Sequence, residues 1–308
     1  MRALAPRRAI ANGALAALVL LFSGGPAAGQ AATPAPSSGP RLDWRPDTPV
    51  QGRLFVLRVS DPGAERLRGV DGRSAGERLH FHASGPGVFE SLVPVPVDAT
   101  GDAVVELTFR YRDGGTERVR HAIPIAPGSF RHARLTVAPQ FGRPPTEDEA
   151  ARRARDAAKA RAVSEAAHGT PRLWTADVVL PRNDRVTSGF GDGREFNGQI
   201  SSRHMGLDLD GEPGDTVYAA ARGVVELVDE FLLAGNIVYL NHGAGLVSGY
   251  FHLTRQLVAQ GDTVSAGTPI GLVGATGRVT GPHLHWVVRY GYVSVDPRSL
   301  LEAGAGGG

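Results

Sequence analysis

"GNIVYLNHGAGLVSGYFHL", residues 235–253, consists of two apolar runs about a glycine-rich turn. His242 stands just before the turn and His252 near the end of the second run. Runs of this length rich in Val, Ile, Leu and Tyr and bounded by glycine read as strands. "GVVELVDE" at 223–230 and "HLHWVVRYG" at 283–291 have the same character. The chain from residue 171 onward is therefore expected to be a strand-built domain. His252 then lies in an apolar strand, an expensive place for an imidazole without a partner.

Two neighbouring stretches supply polar company. "HMGLDLDG", residues 204–211, sets His204 four places before Asp208 with Gly206 between them. On a straight strand both side chains would share a face but stand about 13 Å apart, at roughly 3.3 Å of rise per residue. Ligand bonds to one ion are about 2 Å long, so convergence needs a bend. Gly206, tolerant of backbone angles that other residues avoid, is the expected place for it. In "HLH", His283 and His285 face the same way about 7 Å apart, with Leu284 opposite. That suits one histidine on a metal and the other beside it. The same spacing recurs at His80 and His82 in "RLHFHAS", with no acid–glycine motif near, and these read as ordinary strand residues. His242 and Asp210 read as structural turn residues.

In this order and spacing, "SSRHMGLDLDGEPGDTVYAAARGVVELV", "GNIVYLNHGAGLVSGYFHL", "GDTVSAGTPIGLVGATGRVTGPHLHWVV" and "VDPRSLL" resemble the lysostaphin-type, or LytM-type, zinc endopeptidases, from about Leu173 to Leu301. The resemblance implies a mostly antiparallel β structure of the duplicated hybrid motif type, with a narrow groove and one zinc ion. It implies hydrolysis of peptide bonds in peptidoglycan stem peptides or cross-links. It makes His204, Asp208 and His285 the metal ligands, and His252 and His283 the catalytic pair; which of the two takes and which gives the proton stays open. Two imidazoles and a carboxylate leave zinc a fourth position for water, whose pKa it lowers to about 7. One departure is visible. Several members carry a tyrosine upstream of the first ligand, where "GREFNGQISSRH" has Phe196. Arg194 and Asn197 are the candidates to replace it, and the expectation is that zinc and the histidines stabilise the oxyanion alone. The competing reading is a non-catalytic regulator of a separate cell-wall amidase. Relatives of that kind typically lose ligands, and this chain keeps them.

The rest of the 308 residues frames that domain. Gly 41 and Pro 22 suit many short strands and turns, and the lack of cysteine excludes disulfides and thiolate metal sites. Residues 1–29, with Arg2, Arg7 and Arg8 before an apolar run from Ala14 to Phe22, have the pattern of a cleaved secretory signal. The 33 basic and 31 acidic residues give +2; without those three arginines, 30 stand against 31, or −1. No basic patch for nucleic acid is supported. Residues 30–41 read as a flexible leader and 42–140 as a β-sandwich-like domain. Residues 141–170 read as a linker helix capped by Thr146 and Glu149, which, poor in large apolar residues, is a solvated connector. The zinc endopeptidase domain spans 171–302, and 303–308 is a disordered tail. The whole is mostly β. The expected location is exported, in the periplasm of a two-membrane cell or secreted, with peptidoglycan as partner and no membrane span after signal cleavage. Standing ahead of an open groove, the first domain and helix are expected to cover it until substrate or a regulatory protein acting on the N-terminal domain displaces them.

Overall fold

The computed structural model describes residues 39–62, 66–141, 143–175, 177–196, 198 and 200–305. The signal and most of the leader, Asn197 and residues 306–308 lie outside the described residues. The chain is mostly β.

The first half is two four-stranded antiparallel sheets. One runs in the order Arg41–Arg45, Leu54–Ser60, Val88–Pro94, His82–Gly85, the other Glu77–Leu79, Leu67–Ser74, Ala103–Tyr111, Thr116–Ile123. Phe55, Leu57, Leu67, Leu107, Phe109 and Ile123 are fully buried. The expected sandwich is thus present, but "RLHFHAS" is not one strand. Leu79 ends a strand of one sheet and His82 begins a strand of the other, with His80 between them.

Besides a three-stranded sheet of Thr216–Tyr218, Pro269–Leu272 and Arg255–Gln256, the second half holds an eight-stranded antiparallel sheet. Its order is Val186–Ser188, Leu207–Asp210, His283–Tyr290, Leu246–Leu253, Gly235–Gly243, Gly223–Phe231, Thr263–Val264, with Val293–Val295 added on His283–Tyr290. Alternation sends Tyr250, Trp286 and Val288 into one core cluster and Val247, Phe251 and Val287 into another. Register sets Asp208 opposite His285, and His285 opposite Phe251. Directly paired residues share a face, so the acid and histidine stand on the side of Phe251 and Val287.

That same side carries the helix α1 (Glu147–Gly169), and here the connector reading is corrected. Ala160, Val163 and Ala167 are buried against Phe231, Ile237, Tyr239, Val247, Phe251 and Val287. The helix needs few large side chains because the sheet supplies them. Burying Val163 in this way stabilises by about 1.5 kcal/mol. The capping box of Thr146 and Glu149 is formed as expected. No helix among the described residues is long and apolar enough to cross a membrane.

The halves share one core cluster, which runs from Leu54 to Leu300. A second helix, α2 (Arg298–Ala305), takes in residues 303–305 that read as disordered tail. Leu300 is fully buried, Ala303 packs against the core, and Ser299 Oγ accepts a hydrogen bond from the Leu54 N–H at 3.0 Å. The strand His132–Leu135 also crosses between halves. It pairs in parallel with Gly193–Phe196, which forms a hairpin with Ile200–Arg203 and so becomes the central strand of three.

Candidate metal centre

His204 follows the hairpin, at the point where the chain bends between Arg203 and Leu207. Its backbone is fixed on both sides: Gly191 N–H donates to its carbonyl and its own N–H donates to the Asp192 carbonyl, each at 2.7 Å. The bend lies at Gly206, as expected, but for a different reason. Gly206 is not among the residues with positive φ. What matters is the missing side chain, since a Cβ would meet Trp286 O at 2.6 Å and His285 Cε1 and Nε2 at 2.7 and 2.8 Å. The close approach of the His285 ring is what glycine permits. Gly206→Ala is expected to weaken binding of a metal ion at this candidate site by about 10- to 100-fold, the range seen when a group orienting a metal-binding histidine is disturbed. Competition with a chromophoric chelator checks this, and binding within about twofold of wild type would refute it.

With that bend, three ligand atoms meet. His204 Nε2 lies 2.9 Å from Asp208 Oδ1, His285 Nδ1 lies 2.7 Å from the same oxygen, and the two nitrogens are 2.9 Å apart. All three residues are at least nine-tenths buried or nearly so at the side chain. Burial opposes ionisation of Asp208, but the His204 and His285 rings beside it outweigh burial and hold the carboxyl well below its usual range. Burial pushes the His285 imidazole down to about 4, against the pull of Asp208. The ring is therefore neutral, with a lone pair to offer, at neutral pH. Two imidazoles and one carboxylate converging on one point fit zinc in chemistry and number.

The histidines are oriented by backbone carbonyls. Nδ1 of His204 bonds Gly189 O at 2.6 Å, Nδ1 of His252 bonds Thr276 O at 2.8 Å, and Nδ1 of His283 bonds Gly281 O at 2.8 Å. In each, Nδ1 carries the hydrogen, which leaves the Nε2 lone pair for other work. His285 alone turns Nδ1 toward Asp208. The rings of His252 and His283 stand 4.9 Å apart, and His283 Nε2 is 3.7 Å from Asp208 Oδ1. His252 has φ of 62°, a left-handed conformation that costs about 1–2 kcal/mol outside glycine. Its N–H is held by Ala234 O at 2.9 Å. Burial, with His285 and His283 alongside, keeps His252 neutral by lowering its pKa well below the usual value.

Arg194 is not a free oxyanion group. Its Nη2 donates to Asp208 Oδ2 and, at 2.7 Å, to Ser188 Oγ. Phe196 is buried beneath the groove. The groove measures about 970 Å³, and residues 129–137 wall one side of it. Arg194's hold on Asp208 spans 14 residues, and no local pattern in the sequence signals it. Other polar residues stand apart. His242 is buried and bonds Arg222 O and Ser248 Oγ, both at 2.8 Å. Asp210 pairs with Arg185 at 2.9 Å. His80 bonds the ring of His168 at 2.8 Å, and His82 bonds Arg172. They join elements of the two halves and have no part in the cluster.

A β groove with two histidines and an aspartate at its floor, and two further histidines beside them, defines a metallopeptidase-type domain. Residues 202–297 match the model of Peptidase family M23. Over 118 residues the chain is 40% identical to peptidoglycan DD-endopeptidase ShyC of Vibrio cholerae, which covers 38% of this chain and 27% of the relative. Over 105 residues it is 46% identical to peptidoglycan DD-endopeptidase ShyA of the same organism, covering 33% and 24%. The chain thus spans about a quarter of the length of these relatives. A crystal structure from Pseudomonas aeruginosa assigned to peptidase M23 superposes with a TM-score of 0.64 at 25% identity, covering 83% of this chain and 96% of that one. That likeness reaches beyond the M23 match into the first half.

Proposed function

We propose that the chain is an exported zinc-dependent endopeptidase that hydrolyses peptide bonds in peptidoglycan stem peptides or cross-links. The observation that carries this is the meeting of His204 Nε2, Asp208 Oδ1 and His285 Nδ1 within 3 Å, beside His252 and His283. The likeness to chains named peptidoglycan DD-endopeptidases supports the substrate class. His204, Asp208 and His285 would hold zinc, which supplies an acidified water and a Lewis acid for the scissile carbonyl. His252 and His283 are held by Thr276 O and Gly281 O with Nε2 available, one to take a proton and the other to give one to the leaving amine. Arg194 anchors Asp208 from behind. The signal pattern of residues 1–29 supports the periplasm of a two-membrane cell, and a regulatory protein acting on the N-terminal half belongs to the same proposal.

Mass spectrometry of fragments released from purified peptidoglycan tests it, with His285→Ala as control. Loss of cross-linked species with the wild type alone is the expected result, and the fragment masses name the bond. No release from either chain would favour the regulator of a separate amidase.

A further inference from the structure

Arg278 lines the groove. Its guanidinium lies 4.1 Å over the Phe196 ring. Its backbone N–H donates to Leu233 O at 2.8 Å, and Thr276, two residues earlier, is pinned by its hydroxyl to Leu253 O at 2.9 Å and by its carbonyl to His252. The head group is thus presented from a fixed loop on a buried aromatic platform. Other arginines lining the groove are engaged: Arg194 by Asp208, Arg298 by Asp296 at 2.8 Å, Arg203 by Gly191 O at 3.0 Å. Arg131 is exposed. Among the described residues, no carboxylate forms an ion pair with Arg278.

Half-buried cations without an acid are uncommon, because desolvation is uncompensated. Here burial, with Arg153 and Arg194 near, lowers the Arg278 pKa to about 10, so the guanidinium stays charged at neutral pH in a region short of negative charge. A planar fork in that state is matched by a carboxylate, which it binds through two parallel hydrogen bonds. His252, His283 and Arg278 line the same groove.

We propose that Arg278 is the carboxylate receptor of the groove and selects peptides that carry a free carboxylate close to the bond presented to His252 and His283. The inference rests on the peptidase reading for the bond but not for the binding. A chain-terminal carboxylate and a side-chain carboxylate both meet the requirement. The test is calorimetric binding to the full chain, in the presence of EDTA, of synthetic cross-linked stem-peptide dimers in three forms: unmodified, amidated at the chain terminus, and amidated at the side carboxyl. The wild type is expected to bind one of the two amides about tenfold or more weakly than the unmodified dimer, and that amide names the carboxylate. Arg278→Gln should bind all three alike. Arg278→Lys, which keeps the charge but not the fork, should recover only part of the preference. Equal binding of the three forms by the wild type, or a preference that survives in Arg278→Gln, overturns the proposal. A preference lost in Arg278→Gln by a chain that releases nothing from peptidoglycan keeps this inference and removes the endopeptidase reading. Fragment release without the preference does the reverse.

Discussion

If the proposed zinc centre is right, Asp208→Ala is expected to emerge from purification with less than about a tenth of an equivalent of zinc and to lose fragment release by about a thousandfold or more, because the water that the ion would acidify is lost with it. Asp208 is the corner that the rest of the centre shares. Its Oδ1 lies 2.9 Å from His204 Nε2 and 2.7 Å from His285 Nδ1, and its Oδ2 accepts from Arg194. Without it the metal would be left two neutral nitrogens and no negative charge. Arg194, with its side chain only 15% exposed, would lose its anion, and removing one partner of such a buried pair costs about 3–5 kcal/mol. Asp208→Asn separates charge from shape, since it keeps the volume and loses only the anion. Elemental analysis and the release assay read both variants. Stoichiometric zinc in Asp208→Ala would show that the ion is held elsewhere.

His252→Asn should behave oppositely, keeping zinc near one equivalent while turnover falls by about 10²- to 10⁴-fold, the usual contribution of a positioned acid or base. Asparagine is the informative replacement. His252 has φ of 62°, and asparagine visits that left-handed region more readily than most residues, so the backbone is preserved. Its amide can donate to Thr276 O as Nδ1 does now, but it cannot take up a proton at neutral pH. Zinc content and kcat measured on one preparation decide the matter. Turnover within about tenfold of wild type would remove His252 from the proton transfers.

These residues were legible in sequence to different depths. The strands of the second half announce themselves because their apolar runs are continuous and their turns carry glycine. A His-x-His on a strand puts both rings on one face, and His283 and His285 do stand together with Asp208 and His252. The bend between His204 and Asp208 was legible, but its cause was not. The atoms that exclude a Cβ at Gly206 belong to His285 and Trp286, about 80 residues away. The helix α1 misled for a related reason: an alanine-rich face looks solvated until the aromatic surface that covers it is known, and Tyr239, Phe231 and Phe251 belong to the sheet. The fate of "RLHFHAS" depends on which sheet each half joins, and that is decided by partners distant in sequence. Residues 303–305 read as disordered tail because their composition is small and flexible, yet Leu300 draws that helix onto the shared core.

The parallel pairing of His132–Leu135 with Gly193–Phe196 has a consequence for how the molecule can be divided. Gly193–Phe196 is paired on both sides, by Ile200–Arg203 and by the strand from the first half. A fragment begun at residue 171 would strip one side and leave a four-residue edge with unpaired amide and carbonyl groups beside the groove. Unpaired strand edges recruit other chains. Such a fragment would have traded an internal partner for whatever strand it meets in solution, and self-association at that edge would close the groove from outside.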